Sequence, residues 1–242
     1  MIPGPRAPSR RSAAGRGPRA LLVALALLLG LLPPLHAADL VFRLETGEGL
    51  ASQEADRLWH PASLTKLMTA YVVFQELATG RLSLDTEIVA SEAAARQPPT
   101  SLGLAEGRSL TLEEALLGML MRSGNDAAVA LAETVSGSET AFATLMNETA
   151  ARLGMTASHF ANASGLPDDS QVTTARDLAL LARRLLLDFP QYYGYFGLSG
   201  FSFAGSWQGN INGILNSLAG AEGQKTGFTC KSGDNLVVSG VR

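Results

Sequence analysis

The fold is decided by the stretch Pro61-Ala-Ser-Leu-Thr-Lys-Leu-Met-Thr-Ala-Tyr-Val-Val-Phe-Gln-Glu-Leu77. Its apolar side chains cover most of a helix circumference instead of one stripe, and a helix of this kind is buried at the centre of a domain. Ser63 and Lys66 lie at the start of the helix. Because residues three apart share one helix face, the Lys66 amine can reach the Ser63 hydroxyl.

This pair suits nucleophilic catalysis by serine. A serine hydroxyl is a poor nucleophile until a base takes its proton, and a lysine can be that base only if its pKa is lowered. Apolar neighbours and the positive end of a helix dipole both lower the pKa of a lysine, and Leu64, Leu67 and Met68 surround Lys66 in sequence. The spacing alone also fits a surface lysine on an ordinary helix.

A second polar motif, Met121-Arg-Ser-Gly-Asn-Asp126, interrupts two apolar helical segments. Such a loop can present a hydroxyl, from Ser123, and a carboxamide, from Asn125, to a cleft. The competing interpretation is a helix cap, because Ser, Asn and Asp are the residue types preferred before a helix.

The third motif is Glu222-Gly-Gln-Lys-Thr-Gly-Phe-Thr229, just before the last strand of the sequence. Gly227 lets a substrate backbone lie against the strand, while the Lys225 ammonium and the Thr226 hydroxyl are donors for a carboxylate. A strand lysine next to a bulge glycine is the alternative.

The remaining sequence predicts strands at both ends and helices between them. An α+β domain is expected, in which the terminal strands form one antiparallel sheet packed against a mostly helical block. The predicted elements are a strand at 40–44, helices at 61–77, 112–121, 126–135, 140–153 and 174–187, and a strand at 235–241.

Residues 1–37 have the layout of a secretory signal peptide, with five arginines before an apolar run at 20–32 and small residues at its end. The run has 13 residues, and a membrane span needs about 20, so no membrane anchor is expected in the mature chain. We therefore expect secretion across the inner membrane to the periplasm or cell envelope.

Charge and composition exclude several classes of protein. Removing residues 1–37 takes away five of the 19 basic residues and none of the 22 acidic ones, and the acidic remainder disfavours nucleic acid as a partner. The sequence contains no cluster of His, Cys or carboxylate residues that would predict a metal site. Cys230 is the only cysteine, so it cannot form an intramolecular disulfide, and we expect a small buried residue there.

The three motifs, in this order and at these separations, resemble the penicillin-binding protein and serine β-lactamase superfamily. Other stretches narrow the resemblance to the bacterial low-molecular-mass D-alanyl-D-alanine carboxypeptidases. These stretches are Ser123-Gly-Asn-Asp-Ala-Ala-Val-Ala-Leu-Ala132, Asn162-Ala-Ser-Gly-Leu166, Thr173-Thr-Ala-Arg-Asp-Leu178 and Lys225-Thr-Gly-Phe-Thr229.

The resemblance implies a penicillin-binding serine peptidase that needs no cofactor. It would cleave the terminal D-alanine from peptidoglycan stem peptides ending in D-Ala-D-Ala, and β-lactam antibiotics would inhibit it. The implied roles are nucleophile for Ser63, base for Lys66, proton relay for Ser123, amide binding for Asn125, carboxylate binding for Lys225 and Thr226, and an oxyanion hole from the N–H groups of Ser63 and Phe228.

Two other functions remain open at this point. A serine β-lactamase would need a glutamate about 35 residues after Ser123, and the sequence there is Thr156-Ala-Ser-His-Phe160. A catalytically silent homologue that binds peptidoglycan is the second. Because relatives continue through another strand and a closing helix, we also expect the catalytic domain at 38–242 to be incomplete at its C-terminus.

Overall fold

The computed structural model describes residues 37–241, and residues from Ala38 onward form one compact unit. The predicted signal peptide lies outside the described residues, apart from Ala37. Within the described part, no helix is both long and apolar enough to cross a membrane.

Helices dominate the middle of the chain, and strands flank them. The helices are α1 Thr65–Ala78, α2 Glu92–Ala95, α3 Leu112–Met121, α4 Asn125–Ser136, α5 Glu139–Leu153, α6 Ala175–Asp188, α7 Pro190–Tyr193 and α8 Ile214–Ser217. The strands are β1 Asp39–Phe42, β2 Gly49–Gln53, β3 Glu87–Val89, β4 Ser109–Thr111, β5 Gly200–Phe203, β6 Ser206–Gly209, β7 Ala221–Thr229 and β8 Gly233–Gly240. A 3-10 turn, Ala62–Leu64, precedes α1, and another, Gly194–Gly197, follows α7.

Helix α1 is the core of the molecule, as its all-round apolar pattern predicts. Twelve of its 14 residues are buried, and α3, α4, α5 and α6 pack around it. Near its C-terminal end the Phe74 ring stacks on Tyr192 with centroids 4.9 Å apart and also meets Phe189 and Phe196. This aromatic cluster ties α1 to the segment that leads into the second half of the chain.

The helices around α1 begin at polar caps. At α3 the Thr111 hydroxyl accepts the Glu114 N–H, and the Glu114 carboxylate accepts the Thr111 N–H. Ser138 caps α5 and Thr174 caps α6 through side-chain oxygens. Such caps satisfy N–H groups that have no partner inside the helix, which fixes where each helix starts.

The α+β class is confirmed, but the strand pairing differs from the expected single sheet. In the described residues β1 pairs only with β2, and β7 pairs only with β8, both antiparallel. Each hairpin is closed by a short turn, so its strands find partners nearby in sequence. Both terminal hairpins instead contact α6. Two further antiparallel pairs, β3–β4 and β5–β6, were not predicted.

Strand β7 connects the sheet region to the start of α1. It lies against the 3-10 turn Ala62–Leu64 that carries Ser63. A Cβ built on Gly227 would lie 2.9 Å from the Ser63 nitrogen, closer than real Cβ contacts. Only glycine therefore allows this approach of strand and turn.

Replacing Phe74 with alanine should lower the free energy of unfolding by about 3–5 kcal/mol, since a fully buried aromatic ring leaves a cavity. Urea denaturation followed by circular dichroism measures this. Val89→Ala, on the exposed side of β3, is the control and should change stability by less than about 1 kcal/mol. Equal losses in the two variants would contradict the central role of the cluster.

Candidate active site

The three sequence motifs meet at one cleft of about 660 Å³. Each contributes side chains or backbone to its wall, although they are separated by up to about 160 residues in sequence. The predicted site residues that line the cleft are Ser63, Ser123, Asn125, Thr226 and Phe228. The other two, Lys66 and Lys225, are almost fully buried, with 0% and 2% exposure.

The Lys66 amine is surrounded by three oxygen atoms. Its Nζ lies 3.2 Å from Ser63 Oγ, 2.7 Å from Asn125 Oδ1 and 2.5 Å from the Ser164 carbonyl oxygen. The two carbonyl oxygens can only accept hydrogen bonds. A neutral amine has two N–H groups for them, and its lone pair is then left for the Ser63 hydroxyl proton.

Burial holds the pKa of Lys66 well below its usual value, and the nearby Lys225 lowers it further. Asp126 acts in the opposite direction and raises this pKa. The direction predicted from the apolar neighbours of Lys66 is therefore confirmed. A neutral Lys66 can act as a general base towards Ser63.

The second motif turns sharply so that two of its side chains face the cleft. Ser123 has a left-handed backbone with φ of +57°, and its buried Oγ makes no hydrogen bond to any described protein atom. Asn125 donates to the Pro98 carbonyl and accepts from Lys66. The N-cap position of α4 is Gly124, which offers no side-chain bond, so neither Ser123 nor Asn125 acts as a helix cap.

Strand β7 brings a second buried amine and a hydroxyl to the cleft. Burial lowers the pKa of Lys225 to about 7. The Lys225 Nζ donates to the Thr226 carbonyl at 2.9 Å. A bound carboxylate would favour the charged form of this amine, since an opposite charge nearby raises the pKa of a lysine.

The loop at 162–166, for which the sequence alone predicts no role, completes the surroundings of Lys66. The Ser164 carbonyl accepts from Lys66, and the Asn162 carboxamide oxygen accepts the Gly165 N–H. Gly165 has φ of +86°, and a Cβ there would lie 1.9 Å from the Ala62 carbonyl oxygen. The glycine in Asn162-Ala-Ser-Gly-Leu166 was the available signal, because such a close approach requires glycine.

The expectation for Cys230 is wrong, because the residue is exposed. It lies in the turn between β7 and β8. The usual burial of cysteine does not apply to a turn that projects from the end of a hairpin. No group of three or more His, Cys, Asp or Glu side chains that could hold a metal ion is found within residues 37–241.

The sequence profile of the D-alanyl-D-alanine carboxypeptidases matches residues 35–242. The chain belongs to this family. It is similar to D-alanyl-D-alanine carboxypeptidase DacA of Escherichia coli K12, with 40% identity over 202 residues, which is 80% of this chain and 50% of the relative. The chain thus spans about half the length of the curated relatives it matches.

Solved structures of the family share the fold. One is the D-alanyl-D-alanine carboxypeptidase DacD from Francisella tularensis, with a TM-score of 0.82 and 32% identity, covering 87% of this chain and 64% of that one. Another is penicillin-binding protein D2 from Listeria monocytogenes in its ampicillin-bound form, with a TM-score of 0.77, 32% identity and 87% coverage of both chains.

Gly165→Ala should slow covalent capture of a β-lactam by at least about ten-fold, because the loop must move away from Ser63 and Lys66, and a misplacement of about 1 Å can be this costly. The measurement is the second-order rate constant of acylation. Gly137→Ala is a matched control, since Gly137 is also left-handed, with φ of +75°, but has nothing within 4 Å of its Cβ position. Backbone strain costs both variants about 1–2 kcal/mol of stability, and only Gly165→Ala also clashes with Ala62. Equal acylation rates of the two folded variants would contradict this role of Gly165.

Proposed function

We propose that this chain is a serine-type D-Ala-D-Ala carboxypeptidase that acts on peptidoglycan stem peptides and is acylated by β-lactams. One observation carries the proposal: a buried lysine amine with two carbonyl acceptors, whose remaining position faces the Ser63 hydroxyl at 3.2 Å. Family membership supports the substrate class. The similar proteins DacA and DacC of Escherichia coli K12 are named for the same activity.

In the acylation step, Ser63 Oγ attacks the carbonyl carbon of the penultimate D-alanine while its proton passes to Lys66 Nζ. The negative charge that develops on the carbonyl oxygen is stabilised by the N–H groups of Ser63 and Phe228. In comparable sites each such donor contributes roughly 3–4 kcal/mol. The close approach of Gly227 to the Ser63 nitrogen supports this assignment.

In the second half of the step, the C–N bond breaks and the leaving amine needs a proton. Ser123 Oγ passes it on from Lys66, and the terminal D-alanine departs. Water then hydrolyses the ester on Ser63 and releases the shortened peptide. The Ser123 hydroxyl is buried and has no described protein partner, so it is available for this relay.

The substrate is held at both ends of the scissile bond. Asn125 binds the backbone amide on the acyl side, and the Lys225 ammonium with the Thr226 hydroxyl binds the terminal carboxylate. The need for a carboxylate next to Lys225 distinguishes a carboxypeptidase substrate from an internal peptide bond, which has no carboxylate at that position.

The two alternatives are less well supported. A serine β-lactamase needs a carboxylate that positions water on the acyl-enzyme. Among the described residues that line the cleft only Asp234 is acidic, and it is exposed. A catalytically silent homologue would not need Lys66 buried beside Ser63, since burying an amine without a carboxylate partner is unfavourable.

We further propose that the chain works in the bacterial cell envelope. Residues 1–37 would direct secretion, because arginines followed by an apolar run are the layout of a signal peptide. The periplasm is the compartment in which a peptidoglycan peptidase meets its substrate. The acidic mature chain, residues 38–242, would be the catalytic domain.

The direct test measures D-alanine release from a peptide ending in D-Ala-D-Ala, together with mass-spectrometric mapping of the benzylpenicillin adduct. We expect release of D-alanine and one adduct on Ser63. Ser63→Ala should abolish both, while Ser202→Ala, at an exposed serine on β5, should change neither. Hydrolysis of nitrocefin should be slow, on a scale of minutes.

Each unexpected result of that experiment has a defined meaning. An adduct on another serine would overturn the assignment of the nucleophile. Rapid nitrocefin turnover would favour the β-lactamase, and penicillin labelling without any D-alanine release would favour the silent homologue.

The pH dependence of the peptidase reaction should reveal Lys225. Its pKa of about 7 means that the free enzyme loses the ammonium above this pH, so kcat/KM should fall by up to about ten-fold per pH unit on the alkaline side. The bound carboxylate raises the pKa in the complex, so kcat should fall less than kcat/KM.

A substrate with a methyl-esterified C-terminus is the control for this pH effect. It presents no carboxylate, and the alkaline decline should disappear from its profile. An unchanged decline with the ester would show that another group titrates, and Lys225 would then not be the carboxylate-binding residue.

A further inference from the structure

Asp126 is a buried carboxylate with 1% exposure, and no basic side chain among residues 37–241 is bonded to it. Its Oδ1 accepts the N–H groups of Leu102 and Ala127 at 2.9 and 2.8 Å, and its Oδ2 accepts the Leu104 N–H at 3.0 Å. Two of these three donors belong to a loop more than 20 residues earlier in the chain. These three N–H groups give both carboxylate oxygens of Asp126 hydrogen-bond partners.

The loop that Asp126 binds forms one wall of the cleft. Pro99 and Thr100 line the cleft, and only Ser101 separates them from Leu102. The second motif holds the same loop at three further points. These are Asn125 N–H to the Thr100 carbonyl, Asn125 Nδ2 to the Pro98 carbonyl and Thr100 Oγ1 to the Ser123 carbonyl.

We infer that Asp126 is a positioning residue for acylation, which fixes the 98–104 wall of the cleft against the second motif and holds a negative charge near Lys66. This inference rests on the proposed function, because it assumes that Lys66 is the base towards Ser63. Asp126 is not among the residues that line the cleft, and its hydrogen bonds go to backbone N–H groups, so it acts through the loop and through Lys66.

The charged groups that act on the Lys66 amine come from two elements. Lys225 of β7 lowers the pKa of Lys66, and Asp126 of α4 raises it, both in addition to the larger effect of burial. From α5, Glu139 faces the neighbouring loop and accepts the Ala163 N–H. Removing the charge of Asp126 should therefore lower the pKa of Lys66 further.

The pH dependence of acylation should change in one direction only, because the reaction needs neutral Lys66. Acylation needs neutral Lys66, so its rate declines on the acid side as the amine becomes protonated. A lower pKa moves this acid decline to lower pH. Substitution of a residue that only stabilises the fold should leave the pH of this decline unchanged.

The experiment measures the second-order rate constant of benzylpenicillin acylation against pH, with the full 242-residue chain. For Asp126→Asn we expect the acid decline to move to lower pH and the rate near neutrality to fall by about ten-fold or more, since the amide offers one acceptor oxygen where the loop needs two. Asp126→Glu keeps the charge but not the geometry. Its rate should fall while its acid decline stays in place.

Two other variants distinguish an effect of the loop position from an effect of the Asp126 charge and from a general loss of stability. Gly118→Ala should displace Leu102, because the new Cβ would lie 2.2 Å from a Leu102 methyl carbon and 2.7 Å from its Cγ, and we expect a slower reaction with an unmoved acid decline. Asp177→Asn removes another buried carboxylate that accepts from Ala157 and Ser158, and it should change neither quantity.

The inference is overturned if Asp126→Asn leaves the acid decline where it is, or if both Asp126 variants acylate as fast as the wild type. If Asp126→Asn does not fold, an unchanged rate for Gly118→Ala overturns it instead. Failure of the wild-type chain to react with penicillin would be a different result, because it would refute the proposed function itself.

Discussion

The site depends on keeping one lysine amine inside the core without a carboxylate to pair with it. Burying a charged ammonium in this way is unfavourable, so burial lowers the pKa of Lys66 and favours the neutral amine. Lys66 then has two N–H groups and one lone pair, and it needs two acceptors and one donor around it. Asn125, Ser164 and Ser63 supply these three partners. One nitrogen atom therefore links three segments of the chain, and the cleft exists where they meet.

Bringing these segments together requires backbone conformations that are rare elsewhere. Ala62 and Ser123 are left-handed without being glycine, with φ of +48° and +57°, and each conformation of this kind costs about 1–3 kcal/mol. Both residues flank the buried start of a helix, α1 or α4, and packing around those helices is what holds them. The aromatic cluster around Phe74 and the capped helices thus stabilise the geometry of the cleft from a distance.

The sequence predicts those parts of the site that are encoded locally. The burial of α1, and with it the lowered pKa of Lys66, follow from apolar periodicity within a single segment. The contact of Lys66 with Ser164 does not, because a backbone carbonyl 98 residues away carries no residue-type signal. Aspartate is a common residue type in helix caps, so nothing in the sequence indicates that Asp126 binds a loop more than 20 residues away. The partners of β1 and β8 were not predictable either, since apolar content identifies a strand but not its neighbour.

The protonation states of the two buried lysines are coupled through their charges. Their amines repel each other when charged, so protonation of Lys225 lowers the pKa of Lys66. In the free protein near neutral pH, Lys225 is only partly protonated, because its pKa is about 7. A substrate carboxylate that binds Lys225 draws a proton onto it, and the negative charge of the carboxylate offsets this positive charge at Lys66. Binding of the correct terminal group therefore charges Lys225 without adding net charge beside Lys66, whose neutral form Ser63 requires.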